Sequence, residues 1–351
     1  MKINDLASIH PKRILVCQLR QIGDVILTTP LIHLLKKRYQ EACISVFTEK
    51  KCAPVLYNNP DITHIWELDK QQGMMQSLAL YWKMARQHYD LVVDCQQLPR
   101  CRFATWLSRA KVRLTYQPPW YNRLFYTHWS KPVDGYAAKY KTSFLAPLGI
   151  NWNGEPPRIY LTESENKWAD SFFKEHNLPR HGGPVLTLDP THRRASRCWP
   201  AKHYTQLLRL LAHEMPDLTM ILLYGPGEKR DVYEIAKQSE VPEQCIVSNN
   251  MLSLREMAAI IAKADLHVGN CSAPRHIAVA VDTPSLAILG STSHAWTFPA
   301  PEHTDIAIEI SCQPCNEDTC PRGTTECLNE LRPETILKAI IDILHDTSIY
   351  T

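Results

Sequence analysis

The sequence predicts an α/β protein with two Rossmann-like domains that face each other across a cleft. Its 351 residues exceed what one hydrophobic core usually serves. Strand patterns alternate with helix patterns in both halves, and glycine- and proline-rich sequence separates the halves. Such alternation is typical of parallel sheets, which bind ligands beyond the carboxyl ends of their strands. Two such domains would therefore hold two substrates between them, as group transfer requires.

In the first half, apolar runs of β type are separated by segments with helical spacing. Continuous or alternating apolar residues predict strands, whereas a repeat near 3.6 residues predicts a helix. We predict strands at Arg13–Leu19, Cys43–Thr48 and Tyr89–Cys95, and one helix at Val25–Arg38.

The second half repeats this architecture without repeating the sequence. Its predicted strands are Pro184–Asp189, Leu218–Tyr224, Leu266–Val268 and Ser285–Leu289, and its predicted helices are Ala201–Glu214, a segment after Glu228, and Leu254–Ala262.

The linker is predicted where glycine and proline are concentrated, in Leu145–Arg158 and Pro179–Pro184. We therefore predict domains over residues 1–165 and 166–330. Residues 331–351 follow as a C-terminal segment with an amphipathic helix at Glu334–Leu344.

The composition is that of an ordinary globular protein, with 44% hydrophobic and 21% charged residues. No apolar run reaches the ~18 residues that a membrane-spanning helix needs. The segment from Met1 to Arg13 has no apolar region of secretory type, so export is not expected. Many of the twelve cysteines lie in apolar runs, which favours reduced, buried thiols and a cytoplasmic location.

Positive charge is concentrated between Leu98 and Lys141, although the formal net charge is only +3. That net charge does not indicate a nucleic-acid-binding protein. The segment has nine Lys or Arg and one acid, Asp134, with aromatic residues interleaved. This pattern suits anions and a membrane surface. A solvated basic surface over an aromatic core explains it as well.

The turn after the first strand carries a carboxylate that could act as a base. Gly23 permits a tight turn, and Asp24 would stand at a helix N-terminus, where the dipole favours the ionised form. An ionised carboxylate can accept a hydroxyl proton. From spacing alone, helix capping is the simpler role for Asp24. The turn lacks the Gly-x-Gly-x-x-Gly fingerprint, which argues against a dehydrogenase.

Three loops of the second half follow predicted strands at the ligand-binding edge. The segment Asp189–Pro200 has three arginines, whose guanidinium groups could clamp a diphosphate without a metal. Its alternative is a solvated basic loop. Glu228 could bind ribose hydroxyls. The segment Gly269–His276 precedes a helix whose N-terminus would favour phosphate, although Ser272 as an N-cap and His276 as a packed residue stay open.

Together these segments resemble the bacterial lipopolysaccharide heptosyltransferases of glycosyltransferase family 9, which have the GT-B arrangement. The resemblance covers nearly the whole chain. It is most specific at Arg20–Val25 running into Leu27–Pro30, with support from Arg197–Pro200 and Pro274–Ala278. In detail, the residues of these motifs are most similar to those of the enzymes that add a branch heptose.

The resemblance implies inverting transfer of a heptose from ADP-heptose to the inner core of lipopolysaccharide, with no required metal or other cofactor. The first domain would bind the lipid-anchored acceptor and the second the donor, and the C-terminal helix would pack back on the first. Peripheral contact with the cytoplasmic face of the inner membrane is expected, and a nucleic-acid partner is not.

The resemblance also implies roles for individual residues. Asp24 matches the family's proposed base. The implied donor-binding residues are Thr191, Arg194, Arg197, Glu228, Ser272, Ala273 and His276. The residues expected to bind a phosphorylated acceptor are Arg20, Arg100, Arg102 and Arg123.

One loop departs from the family pattern. Many relatives have Asp-Ser/Thr-Gly-Pro where this chain has Cys271 followed by Ser272, Ala273 and Pro274. A thiol cannot supply the charge of a carboxylate. A glycosyltransferase that uses another nucleotide sugar is therefore an alternative.

The cysteine-rich segment suggests an alternative of a different class. Cys312 and Cys315 form a CxxC pair, and Cys320 and Cys327 follow. Four thiolates can bind zinc tetrahedrally, but the second pair lacks zinc-ribbon spacing. A zinc- and nucleic-acid-binding protein would use these thiols together with the basic segment.

Overall fold

The computed structural model of the chain describes residues 6–347, with the side chains of residues 6–345. The chain divides into two compact units, unit 1 (Met1–Tyr160) and unit 2 (Leu161–Thr351). Each unit contains one six-stranded parallel sheet. The predicted α/β class with two parallel sheets is confirmed. The division after residue 160 lies close to the boundary predicted after residue 165.

Unit 1 has six strands and five α-helices within the described residues. They are β1 (Arg13–Cys17), α1 (Ile22–Ile26), α2 (Thr29–Arg38), β2 (Cys43–Glu49), β3 (His64–Leu68), α3 (Met74–Ala85), β4 (Leu91–Asp94), α4 (Pro99–Leu107), β5 (Val112–Tyr116), β6 (His128–Ser130) and α5 (Ala137–Thr142). Three 3₁₀-helices add Ala53–Leu56, Trp120–Phe125 and Ser143–Leu148.

Strand β1 lies at the centre of the first sheet, whose strand order is β3-β2-β1-β4-β5-β6. Val16 is in register with Val46 of β2 and Val93 of β4. Ile14–Cys17 are fully buried, as expected for a parallel strand covered on both faces. The strand order reverses at β1, so the loops after β1 and β4 diverge there. This is the point at which open α/β sheets bind ligands.

The prediction of one continuous helix at Val25–Arg38 is wrong. Helix α1 ends at Ile26, and α2 begins at Thr29 with Pro30 as its second residue. Pro30 has no backbone N–H, and in a continuous helix its ring would clash with the carbonyl of Ile26. That carbonyl instead accepts a hydrogen bond from the Thr29 hydroxyl at 2.7 Å. The break places Asp24 on a short helix of its own.

Unit 2 has six strands and seven α-helices within the described residues. They are α6 (Glu163–Glu175), β7 (Val185–Asp189), α7 (Ala201–Glu214), β8 (Thr219–Leu222), α8 (Lys229–Gln238), β9 (Cys245–Val247), α9 (Leu254–Ile261), β10 (Leu266–Asn270), α10 (Ala273–Ala280), β11 (Ser285–Ile288), β12 (His303–Ile306), α11 (Glu326–Asn329) and α12 (Pro333–Thr347).

Strand β7 is central in the second sheet, whose order is β12-β11-β10-β7-β8-β9. Leu188 of β7 is in register with Leu222 of β8 and Val268 of β10. The loops after β7, β8 and β10 therefore leave neighbouring strands at one edge. The predicted donor residues lie on these three loops and on the first turns of the helices that follow.

Helix α12 contributes to the core of unit 2. Its fully buried Ile336 and Ile340 belong to the same apolar cluster as Leu207 and Leu211 of α7. The expectation that this helix packs on the first domain stays a prediction, and residues 348–351 lie outside the described residues. Throughout residues 6–347, every helix is too short or too polar to cross a membrane.

Candidate active site

Asp24 is the third residue of α1, just after the turn that follows β1. Its side chain is 27% exposed, and its Oδ1 atom lies 3.0 Å from the Nζ atom of Lys141. Its Oδ2 atom accepts a hydrogen bond from the backbone N–H of Gln21 at 3.4 Å, which is long for such a bond. Helix capping is therefore the weaker contact of this carboxylate, and the ion pair is the stronger one.

Lys141 on α5 is a site residue that the sequence pattern did not single out. Only 8% of its side chain is exposed, and its ammonium donates a second hydrogen bond to Gln18 Oε1 at 3.0 Å. Gln18 is fully buried, and its amide donates to the backbone carbonyl of Arg20 at 2.8 Å. In the sequence, Lys141 is one of nine basic residues, and nothing in their spacing marks it.

The Lys141 ammonium needs a compensating charge because it is almost entirely removed from water. Removing one partner of a buried ion pair typically costs about 3–5 kcal/mol, since the other charge stays buried. Asp24 supplies that compensation and still keeps part of its carboxylate accessible. The side chain is thus fixed in position by the fold while one side remains open to a reacting group.

The predicted acceptor arginines differ in their surroundings. Arg20 and Arg100 are exposed, and they follow β1 and β4, whose loops are joined where Gln96 Oε1 accepts the backbone N–H of Arg20 at 3.1 Å. Arg102 is half-buried. Its guanidinium donates to Asn122 and lies 5.6 Å from the centre of the Phe125 ring.

Arg123 lies on the 3₁₀-helix after β5 and is exposed. Its guanidinium stacks 5.6 Å from the centre of the Trp129 ring. The structure therefore leaves Arg20 and Arg100 most open to an anion, whereas Arg102 and Arg123 also hold aromatic residues in place.

In unit 2, the loop after β7 is held by a single buried amide, Asn270. Its Oδ1 atom accepts the backbone N–H of Trp199 at 2.9 Å, and its Nδ2 atom donates to the carbonyls of Asp189 at 3.1 Å and Thr191 at 3.3 Å. Thr191 in turn donates its hydroxyl to Glu228 Oε2 at 3.0 Å. Asn270 thus positions residues 189–199, here called the donor loop because predicted donor-binding residues lie on it. The sequence pattern did not indicate this role.

Arg197 is the basic residue of this loop that is best placed to bind an anion. Its Nε atom is buried and has no hydrogen-bond partner within the described chain. Burial lowers the pKa of its guanidinium, and the neighbouring charge of Arg194 lowers that pKa further. Arg194 itself forms an ion pair with Asp318 at 2.9 Å. A bound anion would supply the charge and the acceptor atoms that Arg197 lacks.

The N-terminus of α10 adds backbone donors to the same edge. Ser272 occupies the N-cap position, but its hydroxyl donates to the carboxylate of Asp189 instead of capping the helix. Ala273 is the first helical residue. His276 is nearly buried, with its ring 5.9 Å from the ring of Trp296. The Ser272 hydroxyl thus makes no capping hydrogen bond, whereas His276 is packed in the helix as that alternative has it.

Asp189 is a second carboxyl group that the sequence pattern did not single out, although it ends a predicted strand. It is 5% exposed, and burial raises its pKa to about 7, with the charge of Glu228 acting in the same direction. A Cβ atom on Gly269 would lie 2.8 Å from Asp189 Cβ, so β10 can approach β7 this closely only with a glycine there. Near neutral pH this group changes its charge at the edge of the donor loop.

Most of the sequence matches one enzyme family. The family model for glycosyltransferase family 9 (heptosyltransferase) matches residues 77–325, more than half of the chain. The chain belongs to this family. The predicted site residues lie on the segments that follow β1, β4, β5, β7, β8 and β10.

Individual proteins are similar to this heptosyltransferase in sequence or in fold. Lipopolysaccharide heptosyltransferase 3 of Escherichia coli is 26% identical over 289 residues, which cover 79% of this chain and 83% of that protein. A glycosyl transferase family 9 structure from Veillonella parvula has a TM-score of 0.81 at 21% identity, covering 99% and 100% of the two chains. The structure of E. coli ADP-heptose LPS heptosyltransferase II has a TM-score of 0.78 at 18% identity, covering 96% and 99%.

Cys271, the residue that differs from the family pattern, contacts a buried arginine in this heptosyltransferase. Arg275, only 2% exposed, donates to Cys271 Sγ at 3.2 Å and to the hydroxyl of Thr297. Its guanidinium also lies 3.9 Å from Asp305 Oδ2. The negative charge beside α10 is therefore supplied from β12 and not from position 271.

The cysteine-rich segment is hydrogen-bonded to the loop after β7. Cys312, Cys315, Cys320 and Cys327 line one cavity of about 100 Å³. The Ser196 hydroxyl donates to the carbonyls of Glu317 at 2.7 Å and Asp318 at 3.0 Å. Among residues 6–345, no three His, Cys, Asp or Glu side chains are arranged to hold a metal. The contacts to Ser196 give the segment a structural role, and the zinc alternative stays a prediction.

The free energy of unfolding should depend on the ion pair between Asp24 and Lys141. Asp24→Ala should destabilise the protein by about 2 kcal/mol or more, because the ammonium stays buried without its carboxylate. Adding Lys141→Met should recover part of this loss, since the double variant has no buried charge. Urea unfolding of both single variants and the double variant measures the coupling.

The control for this cycle is the exposed pair of Glu163 and Lys167, whose atoms lie 2.6 Å apart. Glu163→Ala should change stability by less than about 0.5 kcal/mol. A double variant that is less stable than Asp24→Ala would contradict the proposed dependence.

Asp189 should make stability fall as pH rises from about 4 to about 7. The folded chain keeps the proton on this carboxyl up to a pKa of about 7, whereas the unfolded chain loses it near 3.8. The folded state thus binds more protons in this window, and the free energy of unfolding falls by about 4 kcal/mol across it as the unfolded chain ionises. Asp189→Asn should remove that decline.

Melting temperatures of the wild type and Asp189→Asn across this pH range measure the effect. The control is Asp217→Asn, which changes an exposed carboxylate and should keep the wild-type profile. Parallel pH profiles for wild type and Asp189→Asn would disprove the role of burial.

Proposed function

We propose that this protein transfers a heptose from ADP-heptose to the inner core of lipopolysaccharide, with inversion at the anomeric carbon. Membership of the heptosyltransferase family supports the transfer. The names of similar proteins, which include lipopolysaccharide heptosyltransferase 3 and ADP-heptose LPS heptosyltransferase II, support the substrates. The observation that carries the proposal is the part-exposed carboxylate of Asp24, fixed by Lys141 at the end of the central strand.

In the proposed reaction, Asp24 is the general base. Its carboxylate accepts the proton of an acceptor hydroxyl while that oxygen forms a bond to the anomeric carbon of the donor. The bond between this carbon and the diphosphate oxygen breaks, and ADP leaves with the bonding electron pair. Lys141 is a positioning residue, because it holds Asp24 in place and keeps the base from turning toward solvent.

Unit 2 binds the donor in this proposal. The unpartnered Nε atom of Arg197 and the backbone N–H groups at Ser272 and Ala273 suit the diphosphate. Glu228, already held by Thr191, suits the ribose hydroxyls. His276 lies on the first turns of the same helix, and Arg194 contributes positive charge while paired with Asp318.

Unit 1 binds the acceptor in this proposal, and the branch heptose is the product we favour. Arg20 and Arg100 are exposed at the edge that holds Asp24, where they would bind phosphate groups of the core. Arg102 and Arg123 belong to the same basic region. Because the acceptor is anchored in lipid, we propose that the protein works at the cytoplasmic face of the inner membrane, in peripheral contact with it and without a nucleic-acid partner.

The donor alternative rests on Cys271. This thiol stands where many relatives have a carboxylate, so another nucleotide sugar is the second candidate. A ligand that binds only the native state raises its melting temperature. Thermal shifts with ADP-heptose, UDP-sugars and GDP-sugars therefore separate the two donors.

Transfer should depend on the charge of Asp24. Asp24→Asn should lose at least about 100-fold in turnover because an amide cannot accept the proton, while affinity for ADP stays unchanged. Asparagine is preferable to alanine, since its carbonyl oxygen can still accept a hydrogen bond from Lys141. The measurement is heptose transfer from ADP-heptose to a defined core acceptor, followed by mass spectrometry.

The control is Asp69→Asn, which alters a half-buried residue of unit 1 whose carboxylate pairs with Lys50. It should keep wild-type turnover. If Asp24→Asn transferred heptose at the wild-type rate, Asp24 could not be the base. In cells that lack the protein, the lipopolysaccharide core should be lighter by one heptose, and only the wild-type gene should restore it.

ADP affinity should depend on Arg197 and not on its neighbour Arg193. Arg197→Ala should raise the Kd for ADP about tenfold, because charge-assisted hydrogen bonds to the diphosphate are lost. Arg193→Ala, a change of an exposed residue in the same loop, is the matched control and should leave the Kd unchanged. Isothermal titration calorimetry measures both variants. Equal effects would indicate a general electrostatic attraction instead of a defined site.

A further inference from the structure

Exposed apolar side chains are distributed very unequally between the two units. Among residues 6–345, fourteen large apolar side chains are exposed, and all but Tyr233 and Met251 belong to unit 1. Single exposed apolar residues need no explanation, but a concentrated set marks an interaction surface. Unit 1 is therefore the unit in which we expect an interaction surface.

Helix α3 carries the most exposed of these side chains. Met74, Met75 and Trp82 are 79%, 81% and 63% exposed, and Leu78 is exposed as well. These four residues, here called the α3 stripe, recur at helical spacing and lie on one face. The adjoining face of the helix buries Tyr81 and Met84 in the core. The apolar surface of α3 therefore extends beyond the part that the core covers.

The layer next to α3 extends this apolar surface. The Tyr81 ring of α3 packs 4.8 Å from the Phe103 ring of α4, which also contacts Trp106 at 6.3 Å. Helix α4 in turn holds the 3₁₀-helix through the hydrogen bond from Arg102 to Asn122. Three exposed side chains stand on that 3₁₀-helix, namely Trp120, Tyr121 and Leu124.

The surroundings of this surface are strongly basic. Between residues 70 and 133 the sequence has ten Lys or Arg and two acids. One acid, Asp94, is fully buried, and the carboxylate of the other, Asp90, accepts the backbone N–H groups of Lys12 and Arg13 at 2.9 and 3.0 Å. Lys83 and Arg86 stand exposed at the end of α3. A partner for this surface must be both apolar and negatively charged.

We propose that the α3 stripe docks unit 1 onto an anionic phospholipid bilayer, with α3 lying in the plane of the lipid headgroups. Methionine, leucine and tryptophan side chains would enter the boundary of the acyl chains, and the cations beside them would meet lipid phosphates. A protein partner of ordinary composition would match the apolar stripe but not the excess of positive charge. The inference deepens the proposed function by naming the surface that meets the membrane, yet lipid binding itself does not require that function.

Vesicle binding tests the stripe directly. The full chain is mixed with phosphatidylcholine vesicles that either contain or lack phosphatidylglycerol, and bound protein is measured by sedimentation. The wild type should bind the anionic vesicles at least about tenfold more strongly than the neutral ones. A variant with Met74, Met75, Leu78 and Trp82 all changed to Ser should lose at least about tenfold of that binding.

Two further variants separate the physical contributions. The control changes Tyr233→Ser and Met251→Ser, the exposed apolar residues of unit 2, and should bind vesicles as the wild type does. Changing Lys83→Gln and Arg86→Gln should weaken binding to anionic vesicles only, and added salt should have the same effect. Circular dichroism and melting temperature establish that each variant is folded.

Two results would overturn the proposal. One is wild-type vesicle binding by the folded stripe variant. The other is a wild-type protein that ignores vesicles but forms a dimer that the stripe variant cannot form, because the stripe would then be an interface between copies.

Activity measurements distinguish failure of docking from failure of the proposed transfer. The stripe variant should lose turnover on acceptor embedded in vesicles but keep it on a deacylated, water-soluble core oligosaccharide. Wild-type protein that binds vesicles and transfers heptose to neither acceptor would refute the transferase and leave the docking surface standing. A stripe variant that is equally slow on both acceptors would place the stripe in catalysis and refute docking as its role.

Discussion

The ion pair between Asp24 and Lys141 is the constraint on which unit 1 is organised. It joins α5 to the turn after the central strand, and Gln18 ties the same ammonium to the backbone at Arg20. Because a nearly buried ammonium requires an opposite charge, the carboxylate cannot leave its place without a penalty in stability. The geometry of the proposed base is therefore a property of the fold, and experiments at Asp24 have to separate effects on activity from effects on stability.

In the proposed function, unit 2 faces a different electrostatic problem, because a diphosphate would approach a region that contains carboxyl groups. Burial keeps Asp189 protonated up to about neutral pH, so it can lie beside the loop without repelling an anion at full strength. Asn270 fixes the same loop with a neutral amide, and Arg194 is occupied by Asp318. Arg197 is left with an unpartnered Nε atom. The Asn270 amide and the carboxylates of Glu228 and Asp318 thus hold the loop, while Arg197 stays available to the proposed ligand.

The sequence was sufficient for the architecture and for placing Asp24, Arg197 and Ser272 just after predicted strands, while their roles stay predictions. Helix α7 has the predicted bounds because an amphipathic repeat runs unbroken between Pro200 and Pro216. The periodicity at Val25–Arg38 continues across a break that the backbone of Pro30 imposes. Strands β6 and β9 have three residues each, too few for a pattern. Lys141 and Asn270 act through contacts with distant segments, and neither lies in a local pattern that marks it.

The burial of Ile336 and Ile340 beside α7 has a consequence for engineering within the family. A chimera that borrows the donor half of a relative must exchange α12 together with the sheet, although more than forty residues separate that helix from β11 in the chain. A junction placed after residue 330 would join a foreign core to the native α12, and the two apolar surfaces would have to be matched anew. The region near Tyr160 is the natural crossover point, because on its far side the second core is complete.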